Sequence, residues 1–263
     1  VRRLRRLIQK RTLRWSEGVC VIEGPDLVRA ALVASVEFEA IYVDTDGASS
    51  HAVRDVVRDA STHGVRVFSL AAGVLDRVAD ATTPQPILAA VRLPIRPLSA
   101  IPLEALVLVL HDVRDPGNAG TLIRSADAAG ASGVVFTGTS VDPCNPKTLR
   151  ATAGSIFHTP VAVATLDDTV SSFRSRDAAV LATVVRGGAS HRDVDFTKPT
   201  LVVIGNEADG LDDESIARCD GTVTIEMAGT SESLNAGVAG SLLAFEAFWQ
   251  RQDTKRPPAT PSL

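Results

Sequence analysis

The chain has few cysteines, few aromatics and no long apolar run. Its three cysteines, Cys20, Cys144 and Cys219, are odd in number, far apart and in no C-x-x-C pair. Neither a disulfide framework nor a zinc site is therefore expected, and no metal is implied. No stretch approaches the apolar length of a membrane span and no signal-peptide pattern stands at the N-terminus, so a cytoplasmic protein without membrane attachment is expected. Aromatics make up 4% of the residues against 45% for all hydrophobics, which points to an aliphatic core. The five histidines (His51, His63, His111, His158, His191) fall at no ligand or triad spacing. G-x-G-x-x-G is absent after every strand-like run, which argues against a nicotinamide or flavin site, and no G-x-S-x-G elbow occurs. The sequence opens on Val1 rather than Met, which leaves room for residues ahead of it.

What is present is unevenly charged. Seven cations (Arg2, Arg3, Arg5, Arg6, Lys10, Arg11, Arg14) precede the first acidic residue, Glu17. Setting those seven aside leaves 20 basic residues against 31 acidic ones. A cationic opening on an otherwise acidic chain suggests a localised contact with polyanion. A solvated helix face is the competing reading, because Leu4, Leu7, Ile8 and Leu13 run as an apolar stripe between the cations.

At 263 residues the chain is long enough for two domains. Residues 18–91 alternate strand-like and helix-like patterns: strands at 20–24, 41–44, 65–70 and 87–91, helices from Pro25 and over 52–62, and a further helical turn over 71–78. Pro94, Pro97 and Pro102 then interrupt any periodicity, which predicts an extended linker. The expected organisation is a first domain over 1–92, a Pro-rich linker over 93–102, a second domain over 103–253 and a disordered tail over 254–263.

The second half holds three strand-to-loop passages. LVLVL (106–110) is a continuous aliphatic run of the kind a buried parallel strand needs. It leads through a Pro116, Gly117 turn into a helix for which Asn118 is the expected cap, ending at Gly130 with Arg124 off its buried face. LVVIGNEADGL (201–211) runs from a strand directly into Gly205, Asn206, Glu207 and Gly210. Its G-x-x-x-x-G spacing lacks the Lys and Ser or Thr of a phosphate loop, because Leu211 and Asp212 stand there. Residues 222–248 read as a strand (222–225), a small-residue loop, and a helix opening near Ser233 with that serine as cap. Leu234, Val238, Leu242, Phe245 and Trp249 give that helix an apolar face. Ala236, Gly237, Ala239 and Gly240 crowd its first turns, at about 1 kcal/mol per interior glycine relative to alanine, which implies close approach of another backbone or a ligand.

Taken together, Asn118 with Arg124, then Gly205, Asn206, Glu207, Gly210 and Leu211, then Glu226 to Gly229 with Ser233, Leu234 and Asn235, resemble the three ordered motifs of the SpoU (TrmH-type) branch of the SPOUT RNA methyltransferases. The resemblance spans the second half, including RATAG (150–154) and FHTP (157–160). The first half is similar to the family's N-terminal substrate-binding domain, related to a kink-turn-binding ribosomal protein fold. That likeness rests on the basic opening, Gly18, VIEG (21–24) and TPQ (83–85), with Pro86 where glycine is expected.

The resemblance implies an α/β fold: a parallel sheet whose C-terminal segment is threaded into a trefoil knot, plus a smaller N-terminal α/β domain. It implies S-adenosylmethionine as cofactor, held near Gly205, Asn206, Ile225, Leu234, Thr183 and Met227. It implies methyl transfer to a ribose 2'-hydroxyl of RNA, ribosomal RNA foremost, by a homodimer formed through the C-terminal domains. Arg124 would fix the target, with Asn118, Glu207, Ser233 and Asn235 positioning substrate and donor. Arg2, Arg3, Arg6, Lys10, Arg11 and Arg14 would contact the RNA. The alternatives are a transfer RNA substrate, or a catalytically silent RNA-binding protein on the same fold.

Overall fold

A computed structural model describes residues 1–45, 50–78 and 84–254 of the chain. Thr83 and all but the first residue of the expected tail over 254–263 lie outside the described residues. In chain order the elements are α1 (Arg2–Gln9), α2 (Arg11–Glu17), β1 (Val19–Glu23), α3 (Pro25–Val33), β2 (Phe38–Asp44), α4 (His51–Thr62), β3 (Val67–Leu70), β4 (Ile87–Arg92), β5 (Leu106–His111), α5 (Pro116–Ala128), β6 (Gly133–Thr137) and α6 (Pro146–Ala151). They continue with β7 (Val161–Val163), α7 (Leu166–Arg174), β8 (Ala179–Thr183), β9 (Ala189–Ser190), β10 (Thr200–Ile204), α8 (Asp213–Ala217), β11 (Gly221–Thr224) and α9 (Ala236–Asp253).

Two compact units form, and the chain enters the first of them twice. Unit 1 comprises Val1–Pro94 together with Asp142–His158, whereas unit 2 comprises Ile95–Val141 and Thr159–Leu263. The sequence had assigned residues 142–158 to the second domain. They belong with unit 1 because of a buried pair. The Arg14 guanidinium, 3% exposed, donates through Nε (2.9 Å) and Nη2 to the Asp142 carboxylate, itself 4% exposed. Arg14 Nη1 also donates to the Leu7 and Ile8 carbonyls, and Asp142 accepts from Trp15 Nε1 (3.3 Å) and the Cys144 N–H (3.1 Å). Arg150 likewise pairs with the buried Glu23 at 2.6 Å. Two charges removed from water hold together only when paired and hydrogen-bonded, and both conditions are met at Arg14.

The sheet of unit 1 has the order β1-β4-β2-β3, antiparallel except for the β2 and β3 pair. β1 and most of β4 are buried throughout, as their unbroken aliphatic sequences require. The stripe anticipated on the first helix is real: Leu4, Leu7 and Ile8 pack with Val19, Val21, Leu88 and Ala90.

Unit 2 is built on a seven-stranded parallel sheet, ordered β7-β6-β5-β10-β8-β11-β9. β5 and β10 lie centrally, and their continuous Val and Leu runs are buried, as a sheet covered on both faces demands. Within residues 93–102, expected to be extended, Leu98–Ala100 forms a 3-10 turn and Ile101 is buried in the core of unit 2.

Two expected caps move. α5 is capped by Asp115, whose side chain accepts from the Asn118 N–H at 2.8 Å, so Asn118 sits inside the first turn with its amide free for other use. α9 is capped by Asn235 through Val238 N–H at 3.2 Å rather than by Ser233, and it opens at Ala236. The face of α9 that meets the core differs as well. Val238, Leu242 and Trp249 are 47%, 41% and 53% exposed, while Ala236, Gly237, Gly240, Leu243, Ala244 and Ala247 are buried. Small residues let α9 lie against α5 at close range: a Cβ on Gly240 would fall on Leu122 and Ile204, and the Ser125 and Ser241 hydroxyls meet at 2.6 Å.

Candidate functional site

The parallel strands of unit 2 direct their carboxyl ends to one side, where open α/β sheets place ligands. A cavity of about 510 Å³ lies at the ends of β8, β10 and β11 and against the start of α9. Thr183, Gly205, Asn206, Ile225, Met227 and Leu234 all line it, as do Glu207 and Ser233. β8 ends on Thr183 and β10 runs directly into Gly205. β11 stops one residue short of Ile225, which together with Met227 and Leu234 enters the cavity from the segment leading to α9.

Gly205 has no room for a side chain. A Cβ there would lie 2.6 Å from the Gly210 carbonyl oxygen and the Leu211 nitrogen, because Asn206 and Gly210 exchange backbone hydrogen bonds of 3.0 Å and fold the loop back on itself.

This loop is clasped to the one that follows β5. Asn206 Nδ2 donates to the Asp112 carbonyl (2.9 Å), and its Oδ1 accepts from the Ala208 N–H (2.8 Å). Glu207 accepts from the Asn118 amide (3.0 Å) and from the backbone N–H groups of Asp115 (3.1 Å) and Arg114 (3.2 Å). Partial burial works against the Glu207 charge, yet the Asn118 amide and the backbone donors outweigh it and hold the carboxyl below its ordinary range. Asp112 behaves alike. Burial opposes its charge, but the Thr139 N–H and hydroxyl, with His111 and Arg114 nearby, keep its carboxyl low. Asp112 has a left-handed φ of +58°, which marks the turn out of β5 as a constrained position.

Asn118, Glu207 and Asn235 come together. A Cβ built on Gly237 would lie 3.1 Å from Asn235 Oδ1 and 3.2 Å from Asn118 Oδ1, so the first turns of α5 and α9 meet with the two amides between them. Arg124 stands apart from this group. It is exposed on α5, roughly 9 Å along the axis from Asn118, and does not line the cavity. Three charged lining residues were missed by the sequence reading: Arg186, Asp209 and Glu232. Arg186 carried a signal, since it follows the aliphatic strand β8 immediately before Gly187 and Gly188.

Of the cations expected to contact RNA, Arg14 is withdrawn, because it is buried against Asp142. Arg3 is engaged by Glu17 and Glu39 at 2.6 and 2.7 Å. Arg2, Arg6, Lys10 and Arg11, along with Arg5, are exposed and have no ion pair among the described residues. No group of three or more acidic, His or Cys side chains among the described residues could hold a metal ion, and no described helix is long and apolar enough to cross a membrane.

Residues 105–245 match the SpoU rRNA Methylase family, and residues 1–89 match the MRM3-like substrate binding domain. The chain belongs to the SpoU rRNA methylase family. Among SpoU relatives it is 33% identical to a 23S rRNA (uridine(2479)-2'-O)-methyltransferase of Streptomyces viridochromogenes, across 93% of this chain and 88% of the other. It is 32% identical to the 23S rRNA (guanosine(2553)-2'-O)-methyltransferase RlmP of Bacillus subtilis, across 88% and 89%. The crystal structure of the SpoU methyltransferase AviRb from Streptomyces viridochromogenes, in complex with AdoMet, superposes with a TM-score of 0.86 at 30% identity, covering 95% of this chain and 97% of that one. An AdoMet-bound rRNA methyltransferase from Sinorhizobium meliloti gives 0.82 at 31% identity, covering 94% and 92%.

Proposed function

We propose that this SpoU methylase transfers the methyl group of S-adenosylmethionine to a ribose 2'-hydroxyl of large-subunit ribosomal RNA. The observation that carries the reading is the clasp of Asn118 and Glu207 across two strand-end loops, which shapes the 510 Å³ cavity. The residues fit the cofactor. The volume is that of a small-molecule site, and Ile225, Leu234 and Leu243 offer apolar walls for an adenine. Glu207, Asp209 and Glu232 supply negative charge suited to a sulfonium and an ammonium, and Arg186 a cation suited to a carboxylate. S-adenosylmethionine bound there would supply an electrophilic methyl that needs little activation, so the protein's task is alignment.

Glu207 acts as a positioning residue, because three N–H donors already occupy its carboxylate. Asn118 and Asn235 fix the meeting of α5 and α9, and Ser233 lies at the cavity wall. Arg124, exposed and without a carboxylate partner among the described residues, is suited to grip a phosphate and the target hydroxyl through its planar fork. That role is cheaper than base catalysis, since a guanidinium keeps its proton.

The working form is a homodimer through unit 2. The exposed Val238, Leu242 and Trp249, with the tilted Phe245 ring 5.9 Å from that of Trp249, make α9 an apolar surface that a second copy would cover. Arg124 of one copy would then face the donor held by the other. The segment from Thr222 to Phe248 is the threaded part of a trefoil knot, a reading supported by the tight lining of α9 with small residues. Unit 1 binds the RNA, on the kink-turn-binding ribosomal protein plan.

The test is transfer of labelled methyl from S-adenosylmethionine into unmodified large-subunit ribosomal RNA, with transfer RNA in parallel and Arg124→Ala as control. Label on ribose of ribosomal RNA, lost by at least about 100-fold in Arg124→Ala with cofactor affinity unchanged, is the expected result. Label confined to transfer RNA moves the substrate, and absence of cofactor binding refutes the enzyme reading.

A further inference from the structure

A second concave surface lies wholly within unit 1. It is a groove of about 840 Å³ whose wall includes Arg3, Tyr42, His63, Arg66 and Phe68. Strand register brings the aromatic pair together. Tyr42 on β2 is the direct partner of Phe68 on β3, and their rings stack at 5.6 Å with an interplanar angle of 20°. Tyr42 is anchored against the apolar cluster under α1, whereas Phe68 remains 46% exposed on the outermost strand of the sheet. A phenylalanine supported from beneath and open above is a stacking shelf rather than a core residue.

Charge around the shelf favours an anionic ligand. The acidic side chains of the groove have cationic neighbours: Glu39 is bonded by Arg3 at 2.7 Å, a guanidinium it shares with Glu17, and Glu37 lies 3.7 Å from Arg92. Arg66, immediately before β3 and lining the same groove as Phe68, is exposed and has no carboxylate partner among the described residues. His63 is tied to the Asp59 carbonyl at 2.7 Å and adds no negative charge. Arg2, Arg5 and Arg6 project from α1, whose Arg3 borders the groove. An aromatic face with free guanidinium groups beside it is how proteins take hold of an unpaired base and its phosphates.

We propose that this groove is a subsite for single-stranded RNA, in which an unpaired base stacks on Phe68 and Arg66 engages an adjacent phosphate. The inference rests on the RNA substrate proposed above and names a surface of unit 1 that meets it. It also gives the substrate a required character: a splayed or single-stranded nucleotide, since a base within a duplex has no free face to offer.

The test uses the full chain and a fluorescein-labelled single-stranded oligoribonucleotide of mixed sequence, read by anisotropy. Loss of a base stack predicts binding about 5- to 150-fold weaker in Phe68→Ala. Phe68→Leu, which keeps apolar bulk and lacks a π face, is expected to fall nearly as far, and Phe68→Trp to bind at least as tightly as wild type. Arg66→Ala is expected to reduce the salt slope of log K by about 0.7, one phosphate's worth for a single strand. Cofactor binding and methyl transfer are measured on the same preparations. Wild-type methyl transfer with unchanged RNA affinity in Phe68→Ala and Phe68→Leu overturns the subsite and leaves the enzyme reading intact. Wild-type protein that neither binds nor methylates RNA overturns both.

Discussion

Replacing Asp142 by alanine should unfold unit 1 at a much lower temperature than unit 2. The substitution leaves the Arg14 guanidinium, 3% exposed, without its carboxylate and strips acceptors from Trp15 Nε1 and the Cys144 N–H. Breaking a buried pair from one side costs about 3–5 kcal/mol, because the surviving charge stays out of water. For a unit of this size each kcal/mol lowers the midpoint by roughly 4 °C, so a fall of roughly 12–20 °C is expected. The two tryptophans of the sequence make the assay local, since Trp15 lies in unit 1 and Trp249 in unit 2. In a Trp249→Phe background Trp15 is the sole emitter, and its thermal transition reports on unit 1 alone. The double variant Arg14→Met, Asp142→Leu removes both charges and should regain most of the loss. A shift below about 4 °C in Asp142→Ala, or no recovery in the double variant, would refute the claim that this pair ties residues 142–158 into unit 1.

Other expectations concern unit 2. The carboxyl of Glu207 is held below its ordinary value, so its contribution to stability is present above about pH 4.3 and is lost as pH falls through the lower folded-state value. Trp249 melting curves between pH 6 and pH 3 should therefore decline more steeply in wild type than in Glu207→Gln, and equal slopes would count against the clasp. Gly205→Ala forces the loop away from Gly210 and should destabilise unit 2 by about 1–3 kcal/mol while weakening cofactor binding at least tenfold by calorimetry. Unchanged affinity would mean that the loop does not shape the cavity. Leu242→Glu places a charge on the exposed face of α9 and should give a monomer in analytical ultracentrifugation, with a midpoint within a few degrees of wild type. A dimer that persists would place the interface elsewhere.

The central strands of unit 2 were legible because buried parallel strands leave uninterrupted aliphatic runs, as at 106–110 and 201–204, whereas the shorter or more mixed strands β7, β8 and β9 went unread. The loops were legible because each follows such a run directly, and the resemblance then named the residues that line the cavity. Packing partners were harder to read. A stripe of Val238, Leu242 and Trp249 carries the periodicity of a core-facing helix, yet the close approach of α5 selects small residues and turns that stripe outward. Asn118 suits an N-cap by residue type, but Asp115 lies one position before Pro116, whose fixed φ starts the helix, and so takes the cap and releases the Asn118 amide to Glu207. Arg14 read as one more surface cation because its partner lies 128 residues away, a distance over which no local pattern operates.

The return of residues 142–158 to unit 1 has a consequence for how the protein is made and recombined. Three peptide connections cross between the units, at 94/95, 141/142 and 158/159. A cut after Pro94 does not release a finished unit 1: it leaves Arg14 and Glu23 facing empty acceptor and donor positions. On the ribosome unit 1 is complete only once residue 158 has emerged, by which time the first two strands of the other sheet have been made. The substrate-binding part is thus no detachable bead on a linker, and exchanging it between relatives requires transplanting a 17-residue stretch of the catalytic half along with it.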